Sequence, residues 1–211
     1  MLYGVNRSVF LSLQLFGILV MVLSCRRVSS EYRSCVFPLD SLELRDGDLV
    51  FRMGRQEVSR IVTTLDGGDF SHVGILIHTD LGWCVIHAVP GETTSGPDRV
   101  QCDPVSVFFS SDRASRGALL RVACSAQKSQ QAAQLAFQKY TEKTEFDHDY
   151  DLNDTVRFYC TELVWFVYSR VGMELAEGRR HQLVLPGRPE WYIFPDDLWK
   201  SPALQVIWCS E

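Results

Sequence analysis

Arg157-Phe158-Tyr159-Cys160-Thr161-Glu162-Leu163-Val164-Trp165-Phe166-Val167-Tyr168 is the stretch around which the rest of the chain is read. Cys160, Val164, Val167 and Val171 recur at helical spacing, so the stretch predicts a helix with one stripe turned into a core. Gly172 follows as a C-terminal stop, and Asn153, Asp154 or Thr155 upstream can supply a cap. A thiol in the first turn feels the positive end of the helix dipole and several free backbone N–H groups. Both favour thiolate, the reactive form. The plain alternative is that Cys160 is a small buried apolar residue, as most cysteines in apolar helices are. Partners elsewhere in the chain decide between the two.

A thiol nucleophile needs a base, and the base needs a group that holds its tautomer. The five histidines are His72, His78, His87, His148 and His181. His72 to Ile77 and Trp83 to Val89 read as two strands joined by a turn at His78–Gly82. If His78 lies opposite Trp83, His72 and His87 become diagonal neighbours on one face, within reach of each other. A slip of one residue would put them on opposite faces. In this register His72 can face Cys160 while His87 bonds the far nitrogen of His72. Each histidine alone also fits a partly buried ring bonded to a nearby carbonyl. Cys160, His72 and His87 could instead hold zinc, but neither HExxH nor CxxC spacing is present, and no metal or cofactor is expected. His78, His148 and His181 are expected in solvated turns and loops, with His148 alternatively shaping a substrate rim.

Outward from these two segments, Leu49–Phe51 reads as a short strand after the Arg45-Asp46-Gly47-Asp48 turn. Gln56–Leu65 reads as an amphipathic helix with Val58, Ile61, Val62 and Leu65 on its inner face. Its stop is Asp66-Gly67-Gly68-Asp69. The continuous apolar run after His72 suits a sheet covered on both faces. Arg99–Phe109 reads as mostly extended and broken at Pro104, and Ala118–Ala123 as a strand. Lys128–Lys143 reads as a helix with Ala132, Leu135, Ala136 and Tyr140 inside. An Asp-rich loop, Phe146–Asp154, leads into the cysteine helix. Irregular chain follows Gly172, then a short helix at Pro195–Trp199 and a final strand at Leu204–Trp208. This order predicts an α+β domain, an antiparallel sheet packed against helices.

The N-terminus reads as an export signal: Asn6-Arg7, then a nearly unbroken apolar run from Val9 to Leu23, then Ser24-Cys25 and Arg26-Arg27. Val22-Leu23-Ser24-Cys25 resembles a bacterial lipobox, so residues 1–25 are expected as a signal peptide or lipoprotein signal. A cleaved signal and an uncleaved anchor remain alternatives. Residues 26–39 are expected as a tether and 40–211 as the domain. The chain is then an exported bacterial protein, periplasmic or a membrane-anchored lipoprotein that meets the membrane through lipid or anchor. With 46% apolar and 22% charged residues and a net charge of -5 the composition is that of a globular protein. No basic stripe points to nucleic acid. Seven cysteines are present. With Cys25 and Cys160 set aside the remainder is odd, so a closed disulfide framework is not expected.

Gly47-Asp48-Leu49-Val50-Phe51-Arg52, Phe70-Ser71-His72-Val73-Gly74-Ile75, Val85-Ile86-His87-Ala88, Phe158-Tyr159-Cys160-Thr161-Glu162-Leu163-Val164 and Phe194-Pro195-Asp196-Asp197-Leu198-Trp199-Lys200-Ser201-Pro202 occur in that order. Together they resemble the permuted papain-like cysteine hydrolases of the NlpC/P60 superfamily, specifically its YiiX/YebB-like group. The resemblance runs from about Asp40 to the end. It implies a circularly permuted papain-like fold, with the histidine strand before the cysteine helix. It implies an amide-cleaving thiol hydrolase with Cys160 as nucleophile, His72 as base and His87 in the orienting position, where glutamate is the more usual residue. Asp48 and Glu162 match as scaffold residues. Export and family together make cell-wall peptides, including peptidoglycan fragments, the expected substrate. Acyl transfer or lipid hydrolysis on the same fold, and a non-catalytic binding module, are the alternatives.

Overall fold

The computed structural model describes residues 35–92, 97–185 and 188–210, and for 183–185 and 188–190 only the backbone. The export signal, Cys25 and most of the expected tether lie outside these residues.

Among the described residues, eight strands and five α-helices follow in chain order. They are β1 (Leu49–Gly54), α1 (Glu57–Asp66), β2 (His72–Thr79), β3 (Gly82–Val89), β4 (Arg99–Pro104), α2 (Val105–Phe108), β5 (Ala114–Val122), α3 (Ala126–Thr141), α4 (Cys160–Arg170), β6 (His181–Leu185), β7 (Arg188–Tyr192), α5 (Pro195–Trp199) and β8 (Leu204–Cys209). Six strands form one antiparallel sheet in the order β4-β3-β2-β1-β5-β8, and β6 and β7 form a separate hairpin. The domain is the α+β architecture expected from the element order.

The sheet is covered on both faces, which is why β1 and β2 are apolar without alternation. On one face Leu49, Phe51, Val73, Ile75 and Ile86 pack with Ala132, Ala136, Leu163, Val164 and Val167 of α3 and α4. On the other, Val50, Leu76, Val85 and Leu119 pack with Phe108 and Phe109. Within the stretch read as a tether, Cys35 is buried and Phe37 stacks on Phe109 with ring centroids 4.6 Å apart.

Gly47 and Gly74 set two close approaches. Gly47 (φ 89°) offers its carbonyl to the Tyr168 hydroxyl of α4. A Cβ there would lie 2.5 Å from Ser129 O. At Gly74 a Cβ would meet Val85 Cγ1 at 2.4 Å and His87 Cβ at 3.1 Å, so glycine lets β3 carry His87 tight against β2.

Several expectations differ from what is observed. The apolar stripe of α1 faces outward: Val58, Ile61 and Leu65 are exposed and only Ser59 is buried. α1 leaves the end of β1 and packs there through Ser59, against the space above Gly54. Its stripe therefore does not reach the core. Residues 105–108 are helical rather than extended, because the break at Pro104 opens a helix as proline at an N-terminus can. Tyr140 is exposed rather than inside. The chain after Gly172 is not wholly irregular but contains the β6–β7 hairpin, and His181 sits in β6. There His181 Nε2 lies 2.8 Å from Asp197 Oδ1, so this histidine is tied to α5 rather than free in a loop.

Candidate active site

Cys160 is the first residue of α4. None of Asn153, Asp154 or Thr155 caps the helix. Asp154 instead accepts from Val156 N–H and Arg157. The cap comes from within the first turn, where Glu162 Oε2 accepts the Tyr159 N–H at 3.3 Å. The loop before α4 is closed by a bridge between Phe146 and Phe158. Asp147, fully buried, holds it by accepting the N–H groups of Asp149 and Asp151. Tyr150 is thereby set against Tyr159 and Tyr192.

His72 begins β2 and pairs with Arg52 of β1. The β2–β3 register pairs His78 with Trp83 and Ile77 with Cys84, the register read from the turn. His87 is diagonal to His72, and His72 Nε2 lies 2.9 Å from His87 Nδ1. Both rings are buried, and Phe108 packs against both. Cys160 and His72 line one cavity of about 340 Å³, and His87 lies behind His72, away from it. The backbone N–H of Val73, the residue after His72, favours the Cys160 thiolate, as do those of Thr161 and Cys160 itself. The three candidate residues are thus brought together from β2, β3 and α4.

Burial dominates the electrostatics. It pushes the Cys160 thiol up to about 11, although the three N–H groups and the Arg52 charge pull it down. The helix-terminus effect read from the sequence is present but smaller than desolvation. His72 is held well below the ordinary imidazole value by burial, then by the Arg52 and His87 charges. The resting pair is therefore neutral thiol and neutral imidazole. Glu162, burial having raised its carboxyl to about 9, is neutral at pH 7. Its charge therefore does not oppose the thiolate two residues away.

Four residues around the histidines carried no role in the sequence. Asp103 Oδ2 lies 3.3 Å from His87 Nε2 and accepts from Arg113 at 2.6 Å. Glu92 bridges Arg113 and Arg52. Arg52 is almost fully buried, donates to Phe108 O at 3.0 Å and lies over the Phe108 ring. An arginine inside an otherwise apolar strand was the available signal for Arg52, since such a charge must be paired. Tyr159, the residue before Cys160, lines the cavity. Phe158 and Trp165 pack elsewhere, and the cavity aromatics are Phe146, Tyr150, Tyr159, Tyr192 and Phe194.

Comparison with known proteins shows the family and the fold. The family model of the permuted papain-like amidases (YaeF/YiiX, C92 family) matches residues 43–208. The chain belongs to this family. It is a cysteine amidase/peptidase with the permuted papain-like fold. The uncharacterized protein YiiX of Escherichia coli K12 is 27% identical over 146 residues, 68% of this chain and 67% of that protein. The crystal structure of metalloprotein yiiX from Escherichia coli O157:H7 superposes with a TM-score of 0.66 at 22% identity. It covers 80% of this chain and 99% of that one, a likeness of fold. Among the described residues no helix is long and apolar enough to cross a membrane.

Proposed function

We propose that this family member is an exported amidase acting on cell-wall peptides through Cys160, His72 and His87. The observation that carries the reading is that Cys160 and His72 line one cavity, with Val73, the residue directly after His72 on β2, near enough for its N–H to favour the Cys160 thiolate. Cys160 Sγ attacks the amide carbonyl as His72 takes the thiol proton, which avoids a free thiolate in a buried site. His72 then returns the proton to the leaving amine, and an acyl-enzyme remains. Water, deprotonated by His72, cleaves the thioester and regenerates the thiol. The Cys160 backbone N–H at the start of α4 donates to the oxyanion. His87 accepts the far N–H of His72 and stabilises the imidazolium. Peptidoglycan-derived peptides fit a protein carrying an export signal.

The Escherichia coli O157:H7 relative is described as a metalloprotein, which raises the question of a metal here. The residues do not fit one: among the described residues no group of three or more His, Cys, Asp or Glu is arranged for an ion. His72 Nε2 and His87 Nδ1 point at each other rather than at a common centre. No step here runs through a metal.

A second reading has its own support. Val58 and Val62 of α1 line the cavity, and Ile61 and Leu65 continue the exposed stripe beyond it. An acyl chain could lie along that surface, making the substrate a lipid ester or thioester.

Both are tested by incubating the purified full chain with γ-D-glutamyl-linked muropeptides and, separately, with acyl esters and thioesters, using Cys160→Ala as control. Muropeptide cleavage lost in Cys160→Ala is expected. Turnover of acyl substrates alone moves the assignment to the second reading. Turnover of either class unchanged in Cys160→Ala overturns both.

A further inference from the structure

A histidine in the orienting position raises a difficulty that glutamate does not. Glutamate can only accept from the base. A neutral imidazole accepts at one nitrogen and donates at the other, and its second hydrogen bond decides which. If His87 carried its proton on Nδ1, it would donate to His72 Nε2. His72 would then carry its own proton on Nδ1, the nitrogen nearer its backbone and nearer Val73. The base would present a proton, rather than a lone pair, to the thiol.

Asp103 removes the ambiguity. It sits in β4 opposite Val85 and diagonal to His87. Its Oδ2 lies 3.3 Å from His87 Nε2. Arg113 holds that oxygen at 2.6 Å and is held in turn by Glu92, which also pairs with Arg52. We propose that Asp103 is a positioning residue. It accepts the His87 Nε2–H, leaves the His87 Nδ1 lone pair for the His72 Nε2–H, and so keeps the His72 Nδ1 bare for the Cys160 proton. This deepens the proposed function and rests on His72 being the base.

The groups facing His87 agree with this assignment. From β2 comes His72, from β1 Arg52, from β4 Asp103, with Gln101 directly opposite in the register, from the loop after β3 Glu92, and from α2 the Phe108 ring. Asp103 Oδ2 is an acceptor at hydrogen-bonding distance from Nε2. Burial pushes its carboxyl up, but His87 and then Arg113 outweigh it and hold the carboxyl below the usual range, so it stays an acceptor at neutral pH.

The test reads the tautomer directly. The full chain, labelled with 15N-histidine, is measured by long-range 1H–15N correlation as wild type and as the Asp103→Ala, Asp103→Leu and Asp103→Asn variants. Expected is Nε2–H on His87 in wild type and in Asp103→Asn, whose amide oxygen still accepts. Asp103→Ala and Asp103→Leu lose that tautomer, and iodoacetamide labelling of Cys160, mapped by peptide mass, slows roughly ten-fold. If Asp103→Ala fails to fold, the shape-matched Leu and Asn pair carries the comparison. Nδ1–H on His87 in wild type, or an unchanged tautomer in the folded Ala or Leu variant, overturns the proposal. A tautomer that shifts as expected in a protein that hydrolyses nothing leaves the positioning role standing and removes the proposed function instead.

Discussion

His72 Nε2 and His87 Nδ1 lie 2.9 Å apart inside the protein, with no charge on either ring required to hold them. One imidazole must donate and the other accept. Desolvation holds both below the ordinary histidine value, so an extra proton that would make the pair cationic at neutral pH is disfavoured. A residue replacing His87 needs an acceptor and nothing more. His87→Gln is expected to retain most activity toward the best substrate found, and His87→Leu to lose on the order of 100-fold in kcat/KM. Equal rates for the two variants would remove the orienting role.

The resting site is a neutral pair, with Cys160 near 11 and His72 well below 6.5. Iodoacetamide reacts with thiolate only. Its rate at Cys160 is therefore expected to climb steadily from pH 7 to pH 10. A plateau across neutral pH would instead show a preformed thiolate–imidazolium pair. Site-resolved peptide mass mapping separates Cys160 from the exposed Cys209.

Glu162 gives a stability prediction of fixed sign. Its carboxyl stands near 4.5 in the unfolded chain and near 9 in the fold, so the folded state prefers it protonated. Its contribution is full below about pH 4.5 and is lost progressively as pH rises toward 9. Glu162→Gln keeps the acceptor for the Tyr159 N–H without the charge. It is expected to match wild type in Tm at pH 5 and to exceed it by several degrees, roughly 4 °C or more, at pH 8.5. A Tm difference independent of pH would mean the carboxyl is ionised in the fold.

Arg52 is buried beneath the histidines and pairs with Glu92. Arg52→Met leaves Glu92 with Arg113 alone and should cost about 3 kcal/mol in urea unfolding. It also removes the positive charge that lowers both Cys160 and His72. A variant with unchanged stability would mean that the pair is solvated.

The sequence carried most of the sheet and the candidate site, for a physical reason. The short turn at His78–Gly82 fixes a hairpin register, and that register puts His72 and His87 on one face. α1 was legible as a helix, but hydrophobic period alone does not say whether a stripe meets a core, and this one rims a cavity. The β6–β7 hairpin was hidden because Pro189 argues against a central strand, whereas both strands of a two-stranded hairpin are edges, where proline is tolerated. Asp103 was invisible for a different reason. Its meeting with His87 depends on the β3–β4 register, which spans a long loop and leaves no local mark.

The most direct measurement labels the full chain with a peptidyl acyloxymethyl ketone and maps the adduct by mass, in wild type and in His72→Ala. The geometry predicts the adduct on Cys160, formed at least ten-fold more slowly in His72→Ala. An adduct confined to other cysteines, or equal rates at Cys160 in the two proteins, would contradict a working pair of Cys160 and His72.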